Sequence, residues 1–525
     1  MVVPGLVKTL RGCWSLPVGM FVVLFVGLLL AGRERLLRDP GTFWHTVVGE
    51  RMLQTGRVID DDPFSIRNEG VPWLAHQWLG ECAMALLHRA AGLDGVTLGA
   101  ATLLAAVFAW AAQRLRDAGI AFIRVTTLVV LAIGASSFHF LPRPHLVSIA
   151  LLGWTFARLC DCEAGRRPVR SLAWIVPAFV LWSNVHGGAL GGLATLGLVS
   201  AGWLVASGPV GRQMRHAWQD RSPSVALAAC AATLACALAT RINPFGWELP
   251  RTWIALMTSP AVPELIVEHA RLSLREADGW LVLLFGAIYV GALARTSRAA
   301  FRVTWLVPLV WLALAVMRIR HGPLFAVTAL VAFRDIWPAI RNRAAPPHGR
   351  DRFAADVTLP APPAPRWRSI LVPVLLVGAS LLLKASGVGV PVLGAPWVRM
   401  NPEYWPVDLL PAVRAQVARG PEHARVLNDM LFGGYLIYHV PDARVWIDDR
   451  CELYGDAALR EYVEGARDHP ERIDAWADRA DARTALVHAG SPFDRYLARS
   501  PRWRLVQRDR AAALFAREDQ PEPPG

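Results

Sequence analysis

Apolar residues in this chain are collected into runs of about 15 to 22 positions, the length that crosses a bilayer as a helix. Shorter polar stretches separate these runs. The pattern predicts a mainly α, polytopic helical membrane protein with about eleven transmembrane helices. They are expected at 16–32, 93–112, 120–138, 145–160, 172–186, 188–207, 224–241, 279–294, 304–317, 321–335 and 369–390.

Composition supports a membrane protein and excludes a nucleic-acid-binding one. Hydrophobic residues make up 54% of the 525 positions, and Trp occurs 22 times. The formal charge of +13 sits in short basic clusters between apolar runs and not along one amphipathic face. Lys8 and Lys384 are the only lysines, which indicates a GC-rich bacterial genome. We therefore expect a multi-pass protein of the bacterial inner membrane and no nucleic-acid partner.

The basic clusters also predict the topology. Lys8 and Arg11 precede the first apolar run, and no small-residue cleavage site follows before Arg33, so this run is expected to be an uncleaved signal anchor with a cytoplasmic N-terminus. Every second loop is then basic, as the positive-inside rule requires. The inner clusters are Arg114 and Arg116; Arg166, Arg167 and Arg170; Arg212, Arg215 and Arg221; and Arg295, Arg298 and Arg302.

Four regions follow from these patterns. Residues 1–340 are expected to form a transmembrane domain with a large first external loop at 33–92. Residues 341–368, rich in Pro, Ala and Arg, are expected to form a cytoplasmic linker before the last transmembrane helix at 369–390. Residues 391–525 carry frequent charges and short apolar runs, which predicts one small periplasmic domain.

The terminal region has the pattern of an α/β domain. Strands are predicted at 425–428, 444–448 and 484–488, a hairpin at 503–507 with 512–516, and a helix at 432–439. Asp448, Asp449 and Arg450 follow a strand, where open α/β sheets bind ligands. An Asp–Arg pair that only fixes the domain is the equally supported alternative.

The first external loop gathers the groups that chemistry would need. Between Arg38 and Glu81 it contains acids and histidines that cost several kcal/mol or more inside hydrocarbon, which suggests a reaction site at the membrane surface. They are Asp39, His45, Asp60, Asp61, Asp62, His76 and Glu81. The three adjacent aspartates resemble an acidic metal site, but they also suit a solvated turn or a helix cap. A divalent metal therefore stays possible, and no metal ligand is assigned.

A short interfacial helix is predicted over residues 70–81. It would place His76, Gly80 and Glu81 near one stripe, with Trp residues suited to the headgroup region. Two interpretations of His76 and Glu81 stay open: they take part in chemistry, or they cap and anchor this helix.

Further polar motifs fall at external helix ends under the predicted topology. Each has a structural interpretation, such as a charge that reaches the interface or a helix-ending turn. Their segregation to one side nevertheless favours a shared external site. The motifs are His139 with Arg143, Pro144 and His145; Asn184 with His186; Asn243 to Gly246; and Arg318, Arg320 and His321.

Together these features resemble the GT-C superfamily of membrane glycosyltransferases, which includes protein O-mannosyltransferases and lipid A aminoarabinose transferases. Asp39 sits where that superfamily carries its first-loop catalytic acid, and residues 72–79 resemble the helix that follows. The chain also resembles a group of uncharacterised bacterial polytopic proteins, through residues 432–435 and 446–450. It has no Asp-Glu pair at Asp39 and no Trp-Trp-Asp signature, which argues against an oligosaccharyltransferase.

The resemblance implies transfer of a sugar from a polyprenyl-phosphate-linked donor to an extracytoplasmic acceptor. It implies Asp39, Glu81 and His76 as catalytic candidates, and Arg143, Arg318 and Arg320 as ligands of the donor phosphate. His45, Asp62, His145, His186 and His321 are further site candidates. Membrane lipids are the other expected partners, and no protein partner is indicated. The alternative is a non-catalytic protein for lipid-glycan binding, transport or envelope assembly.

Overall fold

The computed structural model describes residues 14–208, 223–260, 262, 269–297, 300–344, 366–387 and 397–518. The predicted signal-anchor charges Lys8 and Arg11, the inner cluster at Arg212, Arg215 and Arg221, and most of the linker 341–368 lie outside these residues.

The first part of the chain is helical. Its elements are α1 (Leu16–Leu30), α2 (Pro40–Thr55), α3 (Trp78–Asp117), α4 (Phe122–Gly134), α5 (His145–Glu163), α6 (Ile175–Val185), α7 (Ala189–Ser207), α8 (Pro223–Ala239), α9 (Glu248–Thr258), α10 (Ala277–Ala294), α11 (Val307–Met317), α12 (Gly322–Ala344) and α13 (Arg366–Ala385). Helix α3 is interrupted at Ala91 and Gly92, where the backbone leaves the helical conformation.

Each of the eleven predicted spans overlaps one of these helices. Within the described residues, four helical segments are long and apolar enough to cross a membrane: Trp78–Asp117, Ala189–Ser207, Ala277–Ala294 and Ile319–Arg341. Six shorter apolar helices of 10–17 residues accompany them. The prediction of a mainly helical membrane protein is confirmed, whereas the number of spans stays a prediction.

Helix α12 lies at the centre of the membrane domain, where Phe325, Leu330 and Phe333 are at most 1% exposed. It packs against α3, α4, α5, α10 and α11. A side chain at Gly153 of α5 would press on Val327, so these two helices approach closely. The polar motifs predicted to be external lie near the N-terminal ends of α2, α3, α5 and α12 and near the C-terminal ends of α6 and α8.

The C-terminal part forms a mixed α/β domain. It comprises α14 (Leu410–Val417), α15 (Pro421–Ala424), β1 (Arg425–Asn428), α16 (Met430–His439), β2 (Arg444–Val445), α17 (Cys451–Arg467), α18 (Arg472–Ala480), β3 (Thr484–His488), α19 (Pro492–Leu497), β4 (Trp503–Arg508) and β5 (Ala512–Arg517). The strand order is β2-β1-β3-β5-β4. Strand β1 is parallel to β2 and β3, and β5 is antiparallel to β3 and β4. The strands predicted at 425–428 and 484–488 and the predicted hairpin are confirmed.

Strand β2 is shorter than predicted, since it ends at Val445. The Asn428 side chain takes over the pairing beyond that point. Its Oδ1 accepts a hydrogen bond from the Trp446 backbone N–H at 2.8 Å, and its Nδ2 donates to the Ile447 carbonyl at 2.7 Å. The chain therefore leaves the sheet just before Asp448 and Asp449.

The segment predicted to be the first external loop, residues 33–92, is joined to this domain. Its backbone pairs with β2: the Ile66 N–H donates to the Val445 carbonyl at 2.9 Å, and the Val445 N–H donates to the Phe64 carbonyl at 3.0 Å. Strand β2, at the edge of the five-stranded sheet, is thereby covered. Phe43 of α2 also lies edge-on to Trp405 and Tyr435 of the C-terminal domain, with ring centroids 5.2 Å and 5.8 Å away. The loop and the domain thus share one core.

Candidate functional site

Asp39 is placed by the start of α2. It is the N-cap residue, and Pro40 occupies the first helical position, a combination that favours helix initiation. Its Oδ2 accepts a hydrogen bond from the Thr42 backbone N–H at 3.1 Å. The side chain is buried. Local sequence therefore fixes the carboxylate at the positive end of a helix.

Arg143 joins Asp39 to the C-terminal domain. Its guanidinium forms an ion pair with Asp39 and lies 3.2 Å from Oδ2 of Asp449. The other oxygen of Asp449 accepts a hydrogen bond from Trp44 Nε1 at 2.8 Å. Burial raises the pKa of Asp449, and the charge of Arg143 opposes this shift. One guanidinium is thus shared by two carboxylates from distant parts of the chain.

His45 and Glu81 form a buried pair between α2 and α3. His45 Nδ1 lies 2.8 Å from Glu81 Oε1, and the side chains are 2% and 1% exposed. Burial lowers the pKa of His45 to about 3, so its ring is neutral at neutral pH. Gly49 permits this approach, because a side chain there would overlap the Glu81 carbonyl.

His76 precedes helix α3, so the predicted helix over residues 70–81 is wrong for its first part. Gly70 has a positive φ of 69°, and the chain then pairs with the preceding acidic segment. The Trp73 N–H donates to the Asp60 carbonyl at 2.9 Å, and residues 76–77 form a turn, so that α3 begins only at Trp78. His76 and Glu81 therefore do not share a helical stripe.

His76 instead faces the C-terminal domain. Its Nδ1 lies 3.6 Å from Oε1 of Glu452, and the same oxygen accepts a hydrogen bond from Trp73 Nε1 at 3.1 Å. Its Nε2 lies 3.1 Å from the side-chain nitrogen of Gln77. Glu452 thus holds the segment that carries His76.

Asp62 is the centre of a buried turn. Its carboxylate accepts hydrogen bonds from the backbone N–H groups of Phe64 at 3.1 Å and Ser65 at 3.2 Å, and from Arg450 at 2.8 Å. Asp62 is 1% exposed. Within the described residues, no group of three or more His, Cys, Asp or Glu side chains could hold a metal ion. Asp62 therefore has a structural role next to the site.

A histidine group lies at the start of α5 and the end of α6. His145 Nε2 lies 3.0 Å from the His139 carbonyl, and the rings of His145 and His186 are 6.2 Å apart. His186 Nδ1 accepts a hydrogen bond from the Gly188 N–H at 2.8 Å. The neutral ring of His186 must then carry its proton on Nε2.

Arg318, Arg320 and His321 precede α12. Arg320 contacts His269, and His321 Nδ1 lies 3.2 Å from the Leu314 carbonyl. Within the described part of the chain, the Arg318 side chain forms no hydrogen bond or ion pair. A side chain at Gly322 would overlap the Ala135 carbonyl and press on Phe138, so this segment lies beside the one that carries His139.

The structure thus assembles most sequence-predicted residues around one region where α2, α5, α6, the segment before α12 and the C-terminal domain meet. Sequence reasoning did not connect Asp449 or Glu452 to this region. The contact from Arg143 to Asp449 spans 306 positions, which no local spacing reveals. The available signal was the position of Asp449 just after a predicted strand.

No family model and no curated protein matches the chain. Among solved structures, the archaeal oligosaccharyltransferase AglB from Archaeoglobus fulgidus, in complex with an inhibitory peptide and a dolichol-phosphate, matches with a TM-score of 0.50 and 11% identity. That match covers 90% of this chain and 69% of the other.

ArnT from Cupriavidus metallidurans bound to undecaprenyl phosphate is similar with a TM-score of 0.49 and 12% identity, over 95% of this chain and 97% of the other. The apo state of ArnT gives a TM-score of 0.49 and 14% identity over the same shares. At identities this low, the likeness to AglB concerns the fold. The chain therefore has a fold like that of AglB, which agrees with the fold expected from the resemblance noted in its sequence.

Proposed function

We propose that this protein is a glycosyltransferase that moves a sugar from a polyprenyl-phosphate-linked donor to an acceptor outside the cytoplasm. The proposal places it in a bacterial inner membrane, with its N-terminus in the cytoplasm and residues 391–525 in the periplasm. The observation that carries it is the Asp39–Arg143–Asp449 arrangement, where a membrane-domain carboxylate meets a cation and a second carboxylate within the GT-C fold.

The reaction has simple chemical needs. An acceptor hydroxyl oxygen forms a bond to the anomeric carbon, and the bond from that carbon to the phosphate oxygen breaks. The leaving polyprenyl phosphate keeps the bonding electrons, and the hydroxyl proton passes to a carboxylate. Because phosphate is already a good leaving group, it needs cations to stabilise its charge more than it needs a proton.

Asp39 is the proposed base. A carboxylate has about four hydrogen-bond acceptor positions. Thr42 and Arg143 bind Oδ2, and Arg143 also binds Oδ1, so an acceptor hydroxyl would take the remaining acceptor position of Oδ1. In this assignment Arg143 orients the base, because its charge is already shared between Asp39 and Asp449.

Arg318 and Arg320 are then the proposed ligands of the leaving phosphate. Guanidinium groups suit this role because their donors match phosphate geometry. Among the described residues, no side chain competes with a ligand for the Arg318 guanidinium. His186 can donate from Nε2, which suits it to orient either substrate. In this proposal the His45–Glu81 pair and His76 have structural roles in the same region.

The donor can be identified by mass spectrometry of lipids that co-purify with the full chain in mild detergent. Wild type, Arg318→Gln and Arg251→Gln should be compared; Arg251 lies in an exposed pair with Glu248 and serves as the control. We expect polyprenyl phosphate or its sugar conjugate with wild type and the control, and much less with Arg318→Gln. Only bulk phospholipid in all three samples would contradict the donor assignment.

Asp39→Asn tests the base. Asn is as good an N-cap as Asp, so the start of α2 should be retained while the proton acceptor is lost. We expect sugar transfer from the identified donor to fall about two to four orders of magnitude, with the protein still folded as judged by a cooperative melting transition. Full turnover in the folded variant would remove Asp39 from this role. Retained donor binding without turnover in wild type would favour the non-catalytic alternative.

A further inference from the structure

A second charged region lies at the far ends of the membrane helices. It is a cavity of about 460 Å³ lined by Arg114, Arg166, Arg167, Arg334, Asp117 and Asp161. Helix α5 runs from His145, in the candidate site, to this cavity. Asp161 follows His145 by 16 positions, so the two regions are about 24 Å apart along the helix axis. The cavity is therefore separate from the region around Asp39.

One carboxylate in this cavity is surrounded by guanidinium groups. Arg114 donates two hydrogen bonds to Asp161, at 3.2 Å and 3.0 Å. Arg166 and Arg334 each donate to its Oδ1 at 2.8 Å. Arg167 lies 3.8 Å from Oδ2, with half of its side chain exposed. Asp161 alone cannot neutralise this group.

The neighbouring acids leave a positive excess. Asp335 pairs with Arg166 at 2.6 Å and with Arg302 at 3.0 Å. Among the residues that line the cavity, Arg114, Arg166, Arg167 and Arg334 therefore outnumber Asp117 and Asp161, and behind them Arg302 and Asp335 add one charge of each sign.

Two flanking residues of opposite charge do not alter this balance. Glu163 accepts hydrogen bonds from the Val303 and Thr304 backbone N–H groups, at 3.1 Å and 2.9 Å. Arg158 lies over the ring of Trp154, 4.5 Å from its centroid. Neither residue lines the cavity.

The positive-inside rule accounts for arginines near this end of the helices but not for their convergence on one cavity. We propose that the cavity binds a phosphate group, either in the headgroup of an anionic phospholipid or in a water-soluble phosphate. Arginines match phosphate through paired donors, and basic pockets between membrane helices suit lipid phosphates. Arg167 is the cation most available to the ligand, because it is half exposed and distant from its acid.

Three variants of the full-length protein test this site. Arg167→Gln removes the available cation, and Arg170→Gln makes the same charge change at an exposed position that does not line the cavity. Asp117→Asn increases the positive excess. Asp117 Oδ1 accepts a hydrogen bond from Gln113 Nε2 at 2.6 Å, and the Asn side chain can keep this contact. A purely structural network would not bind an anion more tightly after Asp117→Asn.

Binding should be measured with two probes. Native mass spectrometry compares retention of dioleoylphosphatidylglycerol with that of zwitterionic dioleoylphosphatidylcholine. The melting temperature is followed against inorganic phosphate, with chloride at matched ionic strength. We expect Arg167→Gln to weaken binding about fivefold, the effect of one arginine near a membrane surface. Asp117→Asn should strengthen binding, and Arg170→Gln should leave it unchanged.

If binding of the anionic lipid changes among the variants in this order, the site binds a lipid headgroup. If only binding of inorganic phosphate changes in this order, the site binds a soluble phosphate. Equal effects of Arg167→Gln and Arg170→Gln would show only surface charge and overturn the proposal. So would a failure of Asp117→Asn to strengthen binding of either probe.

Discussion

At the scale of single residues, burial sets the protonation of His45. Its pKa is lowered from 6.5 to about 3, so the folded protein does not take up the proton that the unfolded chain binds below pH 6.5. The contribution of His45 to the stability of the folded state therefore becomes less favourable as the pH falls from about 6.5 towards about 3. Each pH unit in this window costs about 1.4 kcal/mol for one such group.

His45→Gln should reduce this acid sensitivity. We expect the melting temperature of the variant in detergent to fall less than that of wild type between pH 6.5 and pH 4, whatever its value at pH 7. The control is His469→Gln, because His469 is half exposed and lies near Glu471. An identical pH dependence in His45→Gln and wild type would contradict the assignment of a neutral buried ring.

Residue types predicted which side chains can do chemistry, but not which of them are already bound. Asp39, Asp62 and Arg143 all qualified from the sequence. In the structure Asp62 is held by backbone N–H groups and Arg450, whereas Asp39 pairs with Arg143, which also binds Asp449. That difference comes from burial and from partners hundreds of positions away. Local patterns in a single sequence do not reveal such distant partners.

At the scale of elements, helix α16 is closely packed against the start of α2. A side chain at Gly434 would overlap the backbone carbonyl of Pro40, the residue after Asp39. The close approach sets the position of α2 against the C-terminal domain. A glycine is required there because the neighbour is backbone and cannot rotate away.

Gly434→Ala should therefore force these helices apart. We expect a loss of about 1–3 kcal/mol or more, the usual cost of overpacking, seen as a lower melting temperature. Gly197→Ala in α7 is the matched control, since nothing lies within 4 Å of the position of its added carbon. Equal melting temperatures of Gly434→Ala and the control would show that the two helices separate at little cost.

Elements were predictable where the periodic pattern was strong. The strands at 425–428 and 484–488 lie where their alternating or apolar runs place them. The helix predicted over residues 70–77 is absent, because the backbone of this segment pairs with Asp60 and Asp62. This tertiary contact outweighs the helical spacing of the Trp and His residues. Similarly, the Asn428 side chain ended β2 early.

At the scale of the whole molecule, Arg450 holds the first external loop to the C-terminal domain. It is fully buried, and it pairs with Asp448 of its own segment at 2.6 Å and with Asp62 of the loop at 2.8 Å. Its guanidinium also lies 4.7 Å from the ring centroid of Trp73. The sequence suggested the Asp448–Arg450 pair but gave no sign of its partner in the loop.

Arg450→Met should uncouple these parts of the molecule. It would leave Asp62 and Asp448 buried without their cation, and breaking a buried ion pair from one side costs about 3–5 kcal/mol. We expect a large fall in melting temperature and faster protease cleavage in the external loop. Asp62→Asn in the same chain should restore part of the loss, because it removes one uncompensated charge.

The control is Arg510→Met, which breaks the exposed pair with Glu403 at 2.8 Å and should cost at most about 1 kcal/mol. If Arg450→Met and Arg510→Met were equally stable, Arg450 would not be the link between the domains. If Arg450→Met also abolished sugar transfer at temperatures where the protein stays folded, the Asp449 side of the site would depend on this link. The C-terminal domain would then be part of the catalytic unit, because it supplies Asp449 to Arg143.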